Sequence, residues 1–89
     1  MDSKKPLSEQ EIATLYALYK AANESIHAHV PEHAVLARFR KDLRGFAREA
    51  LADLTRRPET YVIKHPTKGG MTYQITLEGI KILKEKGII

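Results

Sequence analysis

Between residues 61 and 76, apolar and polar side chains alternate on both sides of a Gly-Gly sequence. The flanking segments, YVIKH and MTYQI, are rich in β-branched and aromatic residues. Alternation of this kind, interrupted by glycines that allow a tight turn, is typical of a β-hairpin. We therefore predict two strands over residues 61–76, with Lys68 and Gly69 at the tip of the turn.

Upstream of the hairpin, apolar residues recur at spacings of three and four, which predicts three α-helices. The first helix follows an S-x-x-E capping box formed by Ser8 and Glu11. Pro31 suits the first turn of a second helix, because it lacks an N–H that would need a partner there. Asp42 is expected to cap a third helix over residues 42–54. The stripe of this third helix that is predicted to face the core contains Leu43, Phe46, Ala47, Ala50, Leu51 and Leu54.

A short strand and a final helix complete the pattern. Residues 26–30 alternate between apolar residues and histidines, so a strand that pairs with the hairpin is one interpretation, and continuation of the first helix is another. Thr76 is expected to cap a last helix that ends at Gly87. The order of elements predicts an α+β fold in a single domain over residues 1–89, with residues 1–7 as a flexible lead-in.

The run from Leu51 to Leu83, LADLTRRPETYVIKHPTKGGMTYQITLEGIKIL, resembles the end of many small winged helix-turn-helix transcription regulators, with archaeal examples the most similar. In that family a third helix leads into a charged wing and then into a spaced motif, which is matched here by Tyr73, Thr76, Gly79 and Leu83. The resemblance extends from about Glu32 to the C-terminus. It implies a three-helix core, a two- or three-stranded β wing, a C-terminal helix and sequence-specific binding of double-stranded DNA.

Basic residues cluster around the predicted third helix. Lys41, Arg44 and Arg48 share one face because they are three and four residues apart, and Arg38 and Arg40 precede the same turn. In a helix-turn-helix the second helix enters the major groove while the first contacts the backbone. We predict that Arg44 and Arg48 contact guanine edges and that Lys41 and Arg40 contact phosphates. A solvated face of an ordinary amphipathic helix is the alternative interpretation.

Glycines and basic residues also mark the places where backbone and nucleic acid would come close. Gly45 lacks a side chain on the third helix, although glycine costs about 1 kcal/mol there relative to alanine. Lys64, His65 and Lys68 flank the hairpin turn, and Gly69 allows the wing to approach a surface closely. The family resemblance implies that the wing contacts phosphates or the neighbouring minor groove. An ordinary solvated hairpin tip would have the same composition.

Composition restricts the possible functions without deciding between them. The chain has 15 Lys and Arg residues against 11 Asp and Glu, and this net charge of +4 favours polyanions without establishing nucleic-acid binding. The absence of cysteine excludes disulfides and thiolate zinc sites and fits a cytoplasmic protein. No apolar run approaches the roughly 18 residues of a membrane span. No Ser-His-acid arrangement or phosphate-binding loop can be identified, so we expect neither an enzyme nor a bound cofactor.

Two alternatives to DNA binding stay open. Winged helices also serve as protein-docking modules without DNA binding, and Glu49 and Asp53 on the third helix favour that role. The H-x-H-x-x-x-H pattern of His27, His29 and His33 is compatible with a zinc or nickel site. Histidines without a metal ligand role are commoner, so no residue is assigned to a metal.

We expect a homodimer on DNA. One small module buries only about 600–1,000 Å² on DNA, and specific binding usually combines two half-sites. Leu18 lies off the apolar stripe of the first helix and, with Tyr19, is a candidate for the subunit interface. The last helix and the apolar pair Ile88 and Ile89 are further candidates.

Overall fold

The computed structural model describes residues 5–89, which fold as an α+β arrangement of helices on a small antiparallel sheet. The sheet has three strands in the order β1-β3-β2. In chain order the elements are α1 (Glu9–Ala21), β1 (Val30–Pro31), α2 (Glu32–Leu36), a 3-10 helix (Lys41–Leu43), α3 (Arg44–Arg56), β2 (Val62–Thr67), β3 (Gly70–Ile75) and α4 (Leu77–Glu85). No helix within residues 5–89 has the length and apolar character needed to cross a membrane.

Local hydrogen bonds define both ends of α1. The Ser8 backbone N–H donates to Glu11 Oε1 at 2.9 Å, and the Glu11 N–H donates to Ser8 Oγ at 3.1 Å. This confirms the predicted capping box. At the other end Asn23 has a φ of +56°, and two backbone hydrogen bonds close the helix in the Schellman pattern.

The segment between α1 and α2 contains a shorter strand than the sequence predicts. Only Val30 and Pro31 pair with the sheet, opposite Tyr73 and Thr72 of β3. Pro31 has an extended backbone, with φ −62° and ψ 149°, and is the N-cap of α2 rather than its first helical residue. The proline therefore ends the strand and starts the helix at the same point.

The predicted hairpin is present, and β2 and β3 pair without interruption from the open end to the turn. Lys68 and Gly69 form the two-residue connection. Gly70 follows with a φ of +130°, a conformation that glycine adopts without a steric penalty. The strand face turned towards the helices buries Val62, Tyr73 and Ile75.

The hydrophobic core lies between α1, α3 and the inner face of the sheet. Leu18 is 0% exposed and belongs to this core, so its prediction as a subunit-interface residue is wrong. The reason is that α1 packs against α2, α3, α4 and β3 together, which buries more of its circumference than one stripe. The other large side chains that are fully buried include Leu15, Val35, Leu51, Leu54, Val62, Ile75 and Leu83.

The start of α3 differs from the prediction. Asp42 lies within the 3-10 helix, where its carboxylate accepts hydrogen bonds from Arg40, so it does not cap α3. The N-cap is Leu43, which makes no side-chain capping bond. Arg40, two residues earlier, offers the Asp42 carboxylate a charged partner. The pair with Arg40 forms in place of the predicted cap.

The buried stripe of α3 is also narrower than predicted. Ala47, Ala50, Leu51 and Leu54 are buried, as expected, but Leu43 is 40% exposed and Phe46 is 57% exposed. The adjacent part of α1 presents Gln10 and Ala13, which leave a groove beside Phe46 instead of a packed contact.

Arg57 fixes the C-terminal end of α3 to the start of the described chain. Its guanidinium donates to both carboxylate oxygens of Glu11, at 2.7 and 2.8 Å. It also donates to the backbone carbonyls of Lys5 at 2.6 Å and Pro6 at 3.1 Å. The lead-in predicted to be flexible, residues 1–7, thus contacts the folded domain in part, while its first four residues lie outside the described residues.

Helix α4 begins and ends as predicted. The Gly79 N–H donates to Thr76 Oγ1 at 3.1 Å, and Gly87 ends the helix with a φ of +74°. A β-carbon at position 79 would lie 2.7 Å from the carbonyl oxygen of Tyr61 and 2.8 Å from a side-chain carbon of Ile75. Glycine at position 79 therefore permits direct contact between α4 and the backbone that leads into β2.

Candidate nucleic-acid interface

The turn between α2 and α3 presents three of the predicted contact residues, Arg38, Arg40 and Lys41, all of which are exposed. Arg40 forms a two-point pair with Asp42, at 2.8 and 3.2 Å. The hydrogen bond from Arg40 lowers the pKa of Asp42, and the same bond raises the pKa of Arg40. Both side chains are largely in solvent, so this pair contributes little to stability.

Arg44 crosses the same turn. Its Nε donates to the backbone carbonyl of Phe39 at 3.1 Å, and the residue is half-buried. No hydrogen bond within residues 5–89 involves its two Nη atoms. The side chain therefore stabilises the turn through one nitrogen and keeps the outer edge of the guanidinium for an external acceptor.

Arg48 connects α3 to the sheet through two further residues. Its Nε donates to Glu32 Oε2 at 3.0 Å, and the other oxygen of Glu32 accepts a hydrogen bond from the Tyr73 hydroxyl at 3.0 Å. Burial, together with the hydrogen bond and charge of Glu32, raises the pKa of Tyr73 to about 12. The hydroxyl donates to Glu32 and so positions this carboxylate as the acceptor for Arg48.

Lys64 lies on the same side of the molecule as this chain of contacts. It is paired with Tyr73 across the ladder, and residues directly opposite each other project from the same face of a sheet. Lys64 is exposed where Tyr73 is buried. Lys64 thus shares a face of the ribbon with Tyr73, the residue that links β3 to Arg48 through Glu32.

His65 lies on the opposite face of the ribbon from Lys64. Its ring stacks on that of His29, with centroids 4.2 Å apart and planes 11° apart. Its Nε2 is 2.7 Å from Gln74 Oε1, and Gln74 in turn donates to the carbonyl of Ile26 at 2.7 Å. The two wing residues that the sequence grouped together therefore face different directions, and His65 has partners within the fold.

The histidines considered for a metal site lie on different elements and have different neighbours. His29 has His65 as its neighbour, while His33 lies on α2. Within residues 5–89, no group of three or more His, Cys, Asp or Glu side chains could hold a metal ion.

The glycines predicted at the interface are open to solvent. A β-carbon on Gly45 would meet no atom within 4 Å, and one on Gly69 would meet only Thr67 Oγ1, at 4.0 Å. Neither packing nor a positive φ requires glycine at position 45. Lys68, beside Gly69 at the tip, is exposed.

The sequence did not identify Glu32 and Tyr73 as the residues that position Arg48. Glu32 is 16 positions from Arg48 and 41 positions from Tyr73, so no local pattern links the three residues. Comparison of this chain with protein-family models, with curated proteins and with solved structures found no match. The geometry of residues 5–89 is therefore the basis on which a function can be assigned.

Proposed function

We propose that this protein is a winged helix-turn-helix domain that binds double-stranded DNA in a sequence-specific manner and acts as a transcription regulator. Helix α3 would enter the major groove, and the hairpin would contact the adjacent backbone or minor groove. The order of elements along the chain supports this assignment. The observation that carries it is the Arg48–Glu32–Tyr73 link, which sets the exposed edge of α3 beside the ribbon.

The distribution of exposed charge supports the same arrangement. Arg38 and Lys41 in the turn, Lys64 on β2 and Lys68 at the tip are all exposed. A duplex presents phosphates on both sides of the major groove, so cations before α3 and on the ribbon are suited to positioning contacts.

Arg48 is the residue best prepared to read a base. Glu32 holds its Nε, which leaves the two Nη nitrogens for a forked contact with the O6 and N7 atoms of guanine. Because Glu32 is itself held by Tyr73, less side-chain entropy is lost when Arg48 binds. Arg44 would add a contact through its outer edge, and the open surroundings of Gly45 would admit the duplex close to the helix.

Selection of bound duplexes from a random pool tests the proposal. A consensus sequence is the expected result, and a palindromic consensus would also support a homodimer. Arg44→Ala should relax the base preference at one position, with a loss of about 1–3 kcal/mol of binding free energy. Lys68→Ala should weaken binding to all sequences alike. Lys81→Ala, an exposed lysine on α4, is the matched control that should leave affinity nearly unchanged.

The alternative is that α3 serves only to dock proteins. It makes the opposite prediction, namely that no mobility shift occurs with random duplex at low salt and micromolar protein. Unchanged duplex binding in both Arg44→Ala and Lys68→Ala would also contradict the proposed interface. A DNA-binding interface should instead lose affinity steeply as salt is raised, because bound phosphates release counterions.

The surface proposed for dimerisation excludes Leu18, which is buried. Tyr16 is partly exposed on α1 with its ring centroid 6.4 Å from that of Tyr19, and Ile88 and Ile89 are exposed after α4. These apolar groups suit a contact with a second subunit. Tyr16→Glu should shift the protein towards monomer in sedimentation measurements if this surface is used.

A further inference from the structure

A groove of about 310 Å³ lies between the first half of α1 and the start of α3. Its apolar lining includes Ala13, Phe39, Leu43 and Phe46. Phe46 and Leu43 are both substantially exposed, although they lie within the stretch whose periodicity predicts burial. Adjacent large apolar side chains on a surface mark a site of interaction more often than isolated ones do.

The rim of this groove is acidic. Glu9 lines it directly, and Glu49 and Asp53 line an adjoining depression that shares Phe46. Within residues 5–89, neither depression is lined by a lysine or arginine, although the whole chain has a net charge of +4. Two arginines lie close by: Arg56 pairs with Asp53, and Arg44 donates to the backbone carbonyl of Phe39 at the other end of the groove.

The groove and the Arg48 part of the proposed DNA interface occupy different edges of α3. Successive residues of an α-helix are rotated by about 100°, so Phe46 and Arg48 project about 200° apart. Phe46 faces α1, whereas Arg48 bonds to Glu32 at the start of α2. A partner in the groove would therefore leave the Arg48 edge open.

We propose that the groove binds a basic amphipathic helix of another protein. One large apolar side chain of that helix would sit between Leu43 and Phe46, and its Lys or Arg residues would lie over Glu9 and Glu49. Helices with an apolar stripe bind grooves of this kind through anchors at helical spacing, and complementary charge selects the partner.

The acidic rim argues against the two other possible occupants. A second copy that docked groove to groove about a two-fold axis would bring two acidic rims together, and like charges across an interface are unfavourable. Duplex DNA would bring phosphates towards the same carboxylates. A basic segment is the occupant whose charge complements the rim.

A synthetic peptide provides the probe. A labelled peptide of about 18 residues, with Leu at positions i, i+3, i+4 and i+7 and Lys elsewhere, is long enough to form a helix on the groove. Its matched control has Glu in place of every Lys. By fluorescence anisotropy we expect the Lys peptide to bind at least about tenfold more tightly than the Glu peptide. Amide shifts in NMR spectra of the protein should concentrate around Ala13, Phe39, Leu43 and Phe46.

Two surface variants test the site itself. Phe46→Ala removes the apolar wall and should weaken binding of the Lys peptide about tenfold or more. Glu49→Lys reverses the charge on the rim and should weaken it by a smaller factor. Leu77→Ala is the control, because Leu77 is 67% exposed on α4 and does not line the groove. Circular dichroism checks folding, and if Phe46→Ala does not fold, Glu49→Lys and the shift map still decide.

Several results would overturn the proposal. Equal binding of the two peptides, shifts spread over the whole surface, or unchanged binding in both variants would each do so. Concentration-dependent shifts at Phe46 without peptide would assign the groove to a second copy. Loss of duplex binding in Phe46→Ala with unchanged peptide binding would assign it to DNA. Because peptide and duplex are measured separately, failure of this proposal and failure of DNA binding can be distinguished.

Discussion

Arginines at the two ends of α3 differ in what they contact. At the C-terminal end, the side chain of Arg57 is 13% exposed and makes four hydrogen bonds to other parts of the chain. Towards the N-terminal end, Arg48 is 61% exposed and makes one hydrogen bond among the described residues, to Glu32. A guanidinium has five N–H donors, so the first arginine is nearly saturated by the fold and the second is not. The contrast separates an arginine that holds the structure together from one available to a ligand.

The largest expected effect comes from truncating the saturated arginine. Arg57→Ala would leave the Glu11 carboxylate buried without its partner, and we expect unfolding free energy to fall by about 3–5 kcal/mol. Urea unfolding followed by circular dichroism measures the change. Arg56→Ala is the control, since Arg56 is exposed and its one ion pair within residues 5–89 is with Asp53, and it should cost less than about 1 kcal/mol. Similar losses of unfolding free energy in Arg57→Ala and Arg56→Ala would contradict the structural role assigned to Arg57.

Truncation of Arg48, the unsaturated arginine, should reduce DNA binding and leave stability nearly unchanged. Arg48→Ala is expected to weaken duplex DNA binding by about 1–3 kcal/mol. Its effect on unfolding should stay below about 1 kcal/mol, because the Arg48 side chain is largely exposed and Glu32 keeps its hydrogen bond from Tyr73. Mobility-shift titrations and urea unfolding measure the two quantities. If Arg56→Ala weakened DNA binding as much as Arg48→Ala does, the N-terminal end of α3 would have no special role.

Acid should weaken the buried Arg57–Glu11 pair at the C-terminal end of α3. Burial raises the pKa of the Glu11 carboxyl, but hydrogen bonds from Arg57 and Ser8 and the charge of Arg57 together hold it below its usual value. The unfolded carboxyl binds a proton more readily than the folded one, so the pair contributes fully above the unfolded pKa of about 4.3. That contribution is lost as pH falls through the lower pKa of the folded state.

A comparison with Glu11→Gln isolates this effect. The difference in unfolding free energy between wild type and variant should be constant from about pH 5 to 7 and should shrink as pH falls below about 4. The effect should be smaller than that of Arg57→Ala, because protonation removes the charge but keeps the hydrogen-bonding groups in place. A difference that grew on acidification would contradict the assigned direction of the pKa shift.

The smallest effect is expected at Gly45. Gly45→Ala should raise the unfolding free energy by up to about 1 kcal/mol, because alanine favours the helix and the new methyl group meets no atom. If duplex DNA approaches this part of α3 closely, the same variant should bind DNA less tightly. Gly69→Ala at the ribbon tip provides a second open glycine for comparison. If Gly45→Ala raised stability and left DNA affinity unchanged, the duplex would not approach α3 closely at Gly45.

The sequence predicted the features whose partners are close along the chain. The Ser8–Glu11 box and the Thr76–Gly79 cap each join residues three positions apart, and both are present. The two-residue turn at Lys68 depends on the glycines that follow it. Short-range hydrogen bonds of this kind have few competing partners, which is why residue type alone identifies them.

Features that depend on distant residues were not predictable. Arg57 and Glu11 are 46 positions apart, and nothing near either residue indicates the other. The exposure of Phe46 is set by the small and polar residues that α1 presents opposite it, which the periodicity of α3 does not report. One signal was available, however. Strand alternation alone places Lys64 and His65 on opposite faces of the ribbon.

Gly79 ties the last helix directly to the chain that enters β2. With no room for even a methyl group against the carbonyl of Tyr61, nothing softer than backbone separates the two segments. A displacement of α4 would therefore act directly on the backbone at Tyr61 and on the Ile75 side chain of β3, because both lie against Gly79 with no space between them. The position of the last helix and the geometry of the open end of the hairpin are thus set by the same contact.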